Sequence, residues 1–150
     1  KTETNKTQFR YSVNQLNKLI AGNGAQTILY STWSYRDGSD KLASTGYTYT
    51  DFYNSLTGAY TEAADTYKTL RAPVGTAFYY LTMEQTSINL LKSDDFHPNT
   101  AGSYVAAYTF YSMIFGEDSN NEYLPSDLSS STATILRTYV LESLDIEKDQ

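Results

Sequence analysis

The sequence predicts an α/β domain built on a parallel sheet, with this chain supplying one end of that sheet. Three observations lead there. Apolar residues recur at helical spacing through most of the chain, the mark of amphipathic helices. Two short runs rich in β-branched and aromatic residues interrupt them, and strands alternating with helices imply parallel pairing. Only those two strands are visible under roughly five helices, whereas a parallel sheet normally has several strands and both faces covered. At 150 residues the chain is long enough for one domain with a real core and too short for two ordinary ones.

The elements follow in order. Phe9, Val13, Leu16, Leu19 and Ile20 put one apolar face on a helix over 7–21, and Gly22, Asn23 and Gly24 stop it. Residues 25–33 read as a buried strand that opens into a polar, turn-forming loop over 34–40. Asp51 is the expected cap of a helix running to about Lys68. Residues 70–74 form the second strand, closed by Gly75, and a helix over 76–83 follows. A short apolar piece at 88–91 precedes the strongest helical pattern, 100–115, which Asn99 or Thr100 would cap and Gly116 would end. Residues 117–124 read as polar loop, and a last helix runs from 129 or 130 to 144 through Ile135, Leu136 and Val140. The ends, 1–8 and 145–150, are expected to fray.

Composition closes off several classes of function. The net charge is −6 and no basic stripe is present, which argues against a surface that tracks nucleic-acid phosphates. No apolar run approaches the roughly twenty residues needed to span a bilayer. With no cysteine, disulfides, thiolate metal sites and cysteine nucleophiles are excluded. One histidine and the Asp94–Asp95 pair offer too few ligands for a metal, so neither metal nor cofactor is expected. The 15 tyrosines can pack a core while keeping their hydroxyls wet. An acidic, cysteine-free chain rich in Ser, Thr, Asn and Tyr fits a secreted or cell-surface bacterial protein, with a cytoplasmic location left open.

The chemistry gathers around His97. It is the single histidine, it follows Asp94 by three residues, and Pro98 and Asn99 lead from it into the 100–115 helix. An ionised Asp on one imidazole nitrogen fixes the tautomer and leaves the other nitrogen free to take a proton from a hydroxyl nucleophile. Asp95 is the alternative partner, at a less natural spacing. A second candidate lies after the first strand, because ligands of open parallel sheets bind beyond the carboxyl ends of the strands. There Trp33 is either a platform for a sugar ring or a core residue, while Arg36 and Asp37 read as a solvated turn.

The stretch from Asp94 to Ala107, reading Asp-Asp-Phe-His-Pro-Asn-Thr-Ala-Gly and on into an alanine-rich helix, resembles the C-terminal Asp-x-x-His block of the SGNH (GDSL-type) hydrolases. The two strand segments lend support, and the resemblance covers about residues 9–115. It implies a flavodoxin-like three-layer α/β/α sandwich and ester hydrolysis by a Ser–His–Asp triad, with His97 as general base and Asp94 as its orienting carboxylate. The family's Gly-Asp-Ser and Gly-x-Asn blocks have no counterpart here. Gly38-Ser39-Asp40 is the nearest string, in the wrong order and after the wrong strand. The resemblance therefore implies the C-terminal part of an SGNH hydrolase, acting on acylated carbohydrate or small esters, whose N-terminal segment supplies the serine and completes the sheet. The competing reading is a non-catalytic module of the same descent that binds glycan or protein.

Overall fold

The computed structural model describes residues 3–116 and 123–148, with side chains from residue 5. The elements run α1 (Glu3–Gly22), β1 (Ile28–Tyr30), α2 (Asp40–Ala43), α3 (Tyr49–Tyr67), β2 (Leu70–Ala72), α4 (Val74–Glu84), α5 (Thr100–Phe115) and α6 (Ser130–Lys148). The expected α/β class holds, and the short α2 is an addition to it. Of the loop expected at 117–124, residues 117–122 lie outside the described residues, as do 1–2 and 149–150 of the termini.

Among the described residues the sheet has two parallel strands, with Ile28 opposite Leu70, Leu29 opposite Arg71 and Tyr30 opposite Ala72. Flanking bonds from Leu70 N–H to Thr27 O and from Ser31 N–H to Ala72 O, both 3.1 Å, extend the ladder. The first strand is much shorter than the expected 25–33. The reason is local: the Ser31 carbonyl accepts from Gly75 N–H at 2.9 Å, so the start of α4 draws the chain away from the sheet. A Cβ at position 75 would lie 2.1 Å from the Thr32 carbonyl oxygen. Only glycine permits that approach.

Alternation along β1 sends its side chains to two cores. Leu29 packs with Val13 of α1 and with Ala63 and Ala64 of α3. On the other side Ala72 joins Val74, Phe78 and Leu81 of α4, Val105 of α5, and Leu136 and Val140 of α6, with Ile28 and Trp33 against them. The result is helices, sheet, helices.

Two helix ends differ from the sequence expectation. Thr48, not Asp51, caps α3: its hydroxyl accepts from Asp51 N–H at 3.1 Å and donates to Asp51 Oδ2 at 2.7 Å. Asp51 is the acidic residue of the first turn, with its N–H and its carboxylate both bonded to the cap hydroxyl. At the other end of the chain α6 continues to Lys148, past the point where fraying was expected. Arg71, buried in β2, holds it there by pairing through Nε and Nη2 with the Glu147 carboxylate. No helix among the described residues is long and apolar enough to cross a membrane.

Gly75→Ala should therefore destabilise the fold by about 2 kcal/mol or more, the order of an overpacking penalty set against rigid backbone. Urea unfolding of the two proteins side by side measures it.

Candidate active site

The His97 loop is closed by its own backbone. Leu91 and Pro98 face each other in an antiparallel bridge. Lys92 N–H donates to His97 O at 2.8 Å and Asn99 N–H to Leu90 O at 3.0 Å. Asn99 then caps α5, its side chain accepting from Gly102 N–H at 3.1 Å. At Gly102 a Cβ would stand 2.3 Å from the Leu90 carbonyl, so the helix start and the segment entering the loop can touch only through glycine. Within the turn Asp95 takes a left-handed backbone with φ 62°, a conformation that Asp tolerates better than most residues.

That turn seats Asp94. One carboxylate oxygen, Oδ1, accepts from Phe96 N–H at 3.1 Å and His97 N–H at 3.0 Å. The other, Oδ2, lies 2.5 Å from His97 Nδ1. The imidazole contact, then the two backbone N–H groups, hold the Asp94 carboxyl well below the ordinary aspartate value of 3.8. An ionised carboxylate only accepts, so Nδ1 carries a proton, and in the neutral imidazole Nε2 keeps its lone pair. With its side chain 65% exposed, His97 presents a free acceptor nitrogen beside the surface. This is the arrangement of an oriented general base. Of the two neighbouring carboxylates, Asp94 meets the imidazole and Asp95 turns away.

Asp95 is taken by Arg36, so the expectation of a solvated turn fails for Arg36, while Asp37 is exposed in a turn as expected. The guanidinium donates from Nε to Asp95 Oδ1 at 2.5 Å and from Nη1 to Asn89 Oδ1 at 2.8 Å. Its Nη2 donates to the Leu91 and Lys92 carbonyls at 3.2 and 2.8 Å. Arg36 N–H also donates to Asp95 O at 2.9 Å. Lys41 adds a bond from Nζ to Asp94 O at 2.6 Å. Nothing local in the sequence marks these partners, which lie more than fifty positions away. An Arg ahead of Asp37 and Gly38 reads as a turn until the fold brings the loops together.

Trp33 stands under the same loop. Its ring stacks on Phe78 at 4.4 Å and 12°, and Nε1–H donates to Phe96 O at 2.9 Å. Beyond His97 a row of rings runs through Phe96, Tyr35, Phe52 and Tyr47, with neighbouring centroids 5.1 to 5.9 Å apart. Ser39 offers no nucleophile. Its buried hydroxyl donates to Arg36 O at 2.7 Å and accepts from Leu42 N–H at 3.2 Å as the cap of α2. Among the described residues no three His, Asp or Glu side chains gather as a metal site would need.

The folded chain is similar to two solved structures. One is a protein from Slackia heliotrinireducens proposed as an SGNH hydrolase, with TM-score 0.64, 30% identity, and coverage of 75% of this chain and 59% of that one. The other is a DUF4886 family protein from Bacteroides uniformis, with TM-score 0.75, 19% identity, and coverage of 94% and 58%. No protein-family model matches the sequence, and no curated protein does. The fold is thus an α/β fold of the SGNH-hydrolase type, and the chain spans less than three fifths of each of these two proteins.

The Asp94 geometry has a direct test. Because its carboxyl is depressed in the folded state, the contact with His97 is complete above pH 3.8 and is lost only as pH falls through the lower folded value. Carbon-13 NMR of the Asp94 carboxyl should show it titrating below 3.8, and His97→Ala should move the midpoint up toward that value.

Proposed function

We propose that this chain carries the acid–base half of an SGNH-type ester hydrolase. The observation that carries the reading is the His97 imidazole, held at Nδ1 by an ionised Asp94 and open at Nε2. In this reading Nε2 takes the proton of a serine hydroxyl as it attacks the ester carbonyl. The imidazolium, stabilised by Asp94, then returns that proton to the leaving alcohol. A water deprotonated in the same way hydrolyses the acyl-enzyme. The serine comes from a segment of the hydrolase outside these residues. Trp33 serves the site through the Phe96 carbonyl and offers whatever ring surface Phe78 leaves open as a wall for an acylated sugar or small ester.

Two facts support a partner segment. The sheet has only two strands among the described residues, and Leu16 and Leu19 of α1, Tyr30 of β1, and Ile114 and Phe115 of α5 are exposed. An unpaired parallel edge with apolar neighbours is suited to receive further strands.

The test is hydrolysis of a simple acetyl ester by the longer protein that includes the additional segment. His97→Ala should lower kcat/KM by about a hundredfold or more, the ordinary worth of a general base, and wild-type activity in that variant would overturn the assignment. Asp94→Asn should also lower kcat, with KM little changed, since it removes the orienting carboxylate and leaves the substrate contacts.

A further inference from the structure

Two peptide planes carry the N–H groups that seat Asp94, and each is gripped at its other end by the segment after β1. The plane joining Asp95 to Phe96 gives its N–H to Asp94 Oδ1, and its carbonyl accepts from Arg36 N–H at 2.9 Å. The plane joining Phe96 to His97 gives its N–H to the same oxygen, and its carbonyl accepts from Trp33 Nε1–H at 2.9 Å. We propose that Arg36 and Trp33 are positioning residues for His97, acting through those two planes to aim the Asp94 carboxylate at Nδ1. The proposal rests on the reading of His97 as a general base and adds the part that makes it rigid.

The physical case begins with exposure. The Asp94 and His97 side chains are 42% and 65% exposed, and a charge-assisted contact that open to solvent holds its geometry poorly by itself. Arg36 and Trp33 are better anchored. Arg36 spreads its nitrogens over four acceptors of the loop's near side, which the fixed fork of a guanidinium can reach and a single ammonium cannot. Trp33 is fastened to the core by its stack on Phe78. A hydrogen bond accepted at a peptide oxygen also polarises the N–H of the same plane, so both grips strengthen the donors that Asp94 uses. Asp95 completes the device. Its carboxylate binds Arg36 while its left-handed backbone turns the next peptide toward Asp94. The adjacent carboxylates thus divide the work, one anchoring the loop and one orienting the base.

The experiment uses the 150-residue chain and needs no catalysis. Nitrogen-15 NMR of the neutral His97 ring reads the ratio of Nδ1–H to Nε2–H tautomers. Wild type should favour Nδ1–H. Trp33→Phe, which keeps a ring on Phe78 and deletes the donor, and Arg36→Ala, which keeps the backbone N–H on Asp95 but removes the guanidinium that fixes the loop against it, should each lower the ratio by about threefold, the scale of an exposed charge-assisted contact. Val13→Ala, a truncation in the other core, should destabilise the protein and leave the ratio unchanged. Wild-type ratios in both Arg36→Ala and Trp33→Phe would overturn the proposal, as would an equal fall in Val13→Ala. If Arg36→Ala does not fold, Trp33→Phe decides alone. A shifted tautomer in a protein whose longer form cleaves no ester would keep the positioning device and remove the hydrolase reading. Ester cleavage with an unmoved tautomer would do the reverse.

Discussion

The short parallel pairing of Ile28–Tyr30 with Leu70–Ala72 is the constraint from which the other positions follow. A parallel pair buries both faces, so it must collect helices on each side. Leu29 draws α1 and α3 to one face, and Ala72 shares the larger core of α4, α5 and α6 on the other. The strands also share a direction, so the segment after β1 and the start of α4 leave the sheet at the same end. That common exit is where the Ser31 carbonyl meets Gly75 N–H. It sets the course of residues 31–36, and through Trp33 and Arg36 it sets the loop that carries His97.

The site combines a local turn with a distant scaffold. Asp94 could turn back on His97 in a short peptide, since its bonds reach only two and three residues ahead. Such an Asx-type turn competes with water and with other backbone arrangements. The protein resolves the competition by holding the loop's carbonyls from outside, with donors of Arg36, Trp33 and Lys41 arriving from the other side of the sheet connection. The imidazole remains open to a reactant while the groups behind it are spoken for. An imidazole held this way can stay solvent-accessible without losing its orientation, because its stiffness comes from peptide planes and not from burial.

An SGNH-type fold narrows the chemistry without deciding it, since one fold hosts many functions and a site must be argued from its own residues. Here the residues argue for proton transfer. Ser39, the serine of the nearest motif-like string, is committed at both its donor and acceptor sides to capping α2. The proposed nucleophile from elsewhere would suit a sheet that has two strands among the described residues and a chain spanning 59% of the similar Slackia heliotrinireducens protein. These are separate observations, one of backbone pairing and one of length.

Much of the fold was legible because its signals are periodic and local. The apolar spacing of α5 and its bounds at Asn99 and Gly116 stand as the sequence indicated, and the two strands fall inside the segments marked for them. Strand length was overstated, because nothing near Ser31 reveals that its carbonyl will bind Gly75 rather than a neighbouring strand. The cap of α3 was misplaced by three residues, because Thr48 and Asp51 bond reciprocally and either reads as the cap. At the site, the Asp94–His97 pair was visible since both partners lie in one short turn. Spacing also favoured Asp94 over Asp95, but the partner that occupies Asp95 was not visible, because Arg36 is 59 positions from it. The amino-acid order set the turn, the caps and the helical faces through interactions a few residues long. Folding in three dimensions settled what occupies the other carboxylate and what holds the loop's carbonyls, because those hydrogen bonds join segments that meet only when the two strands pair.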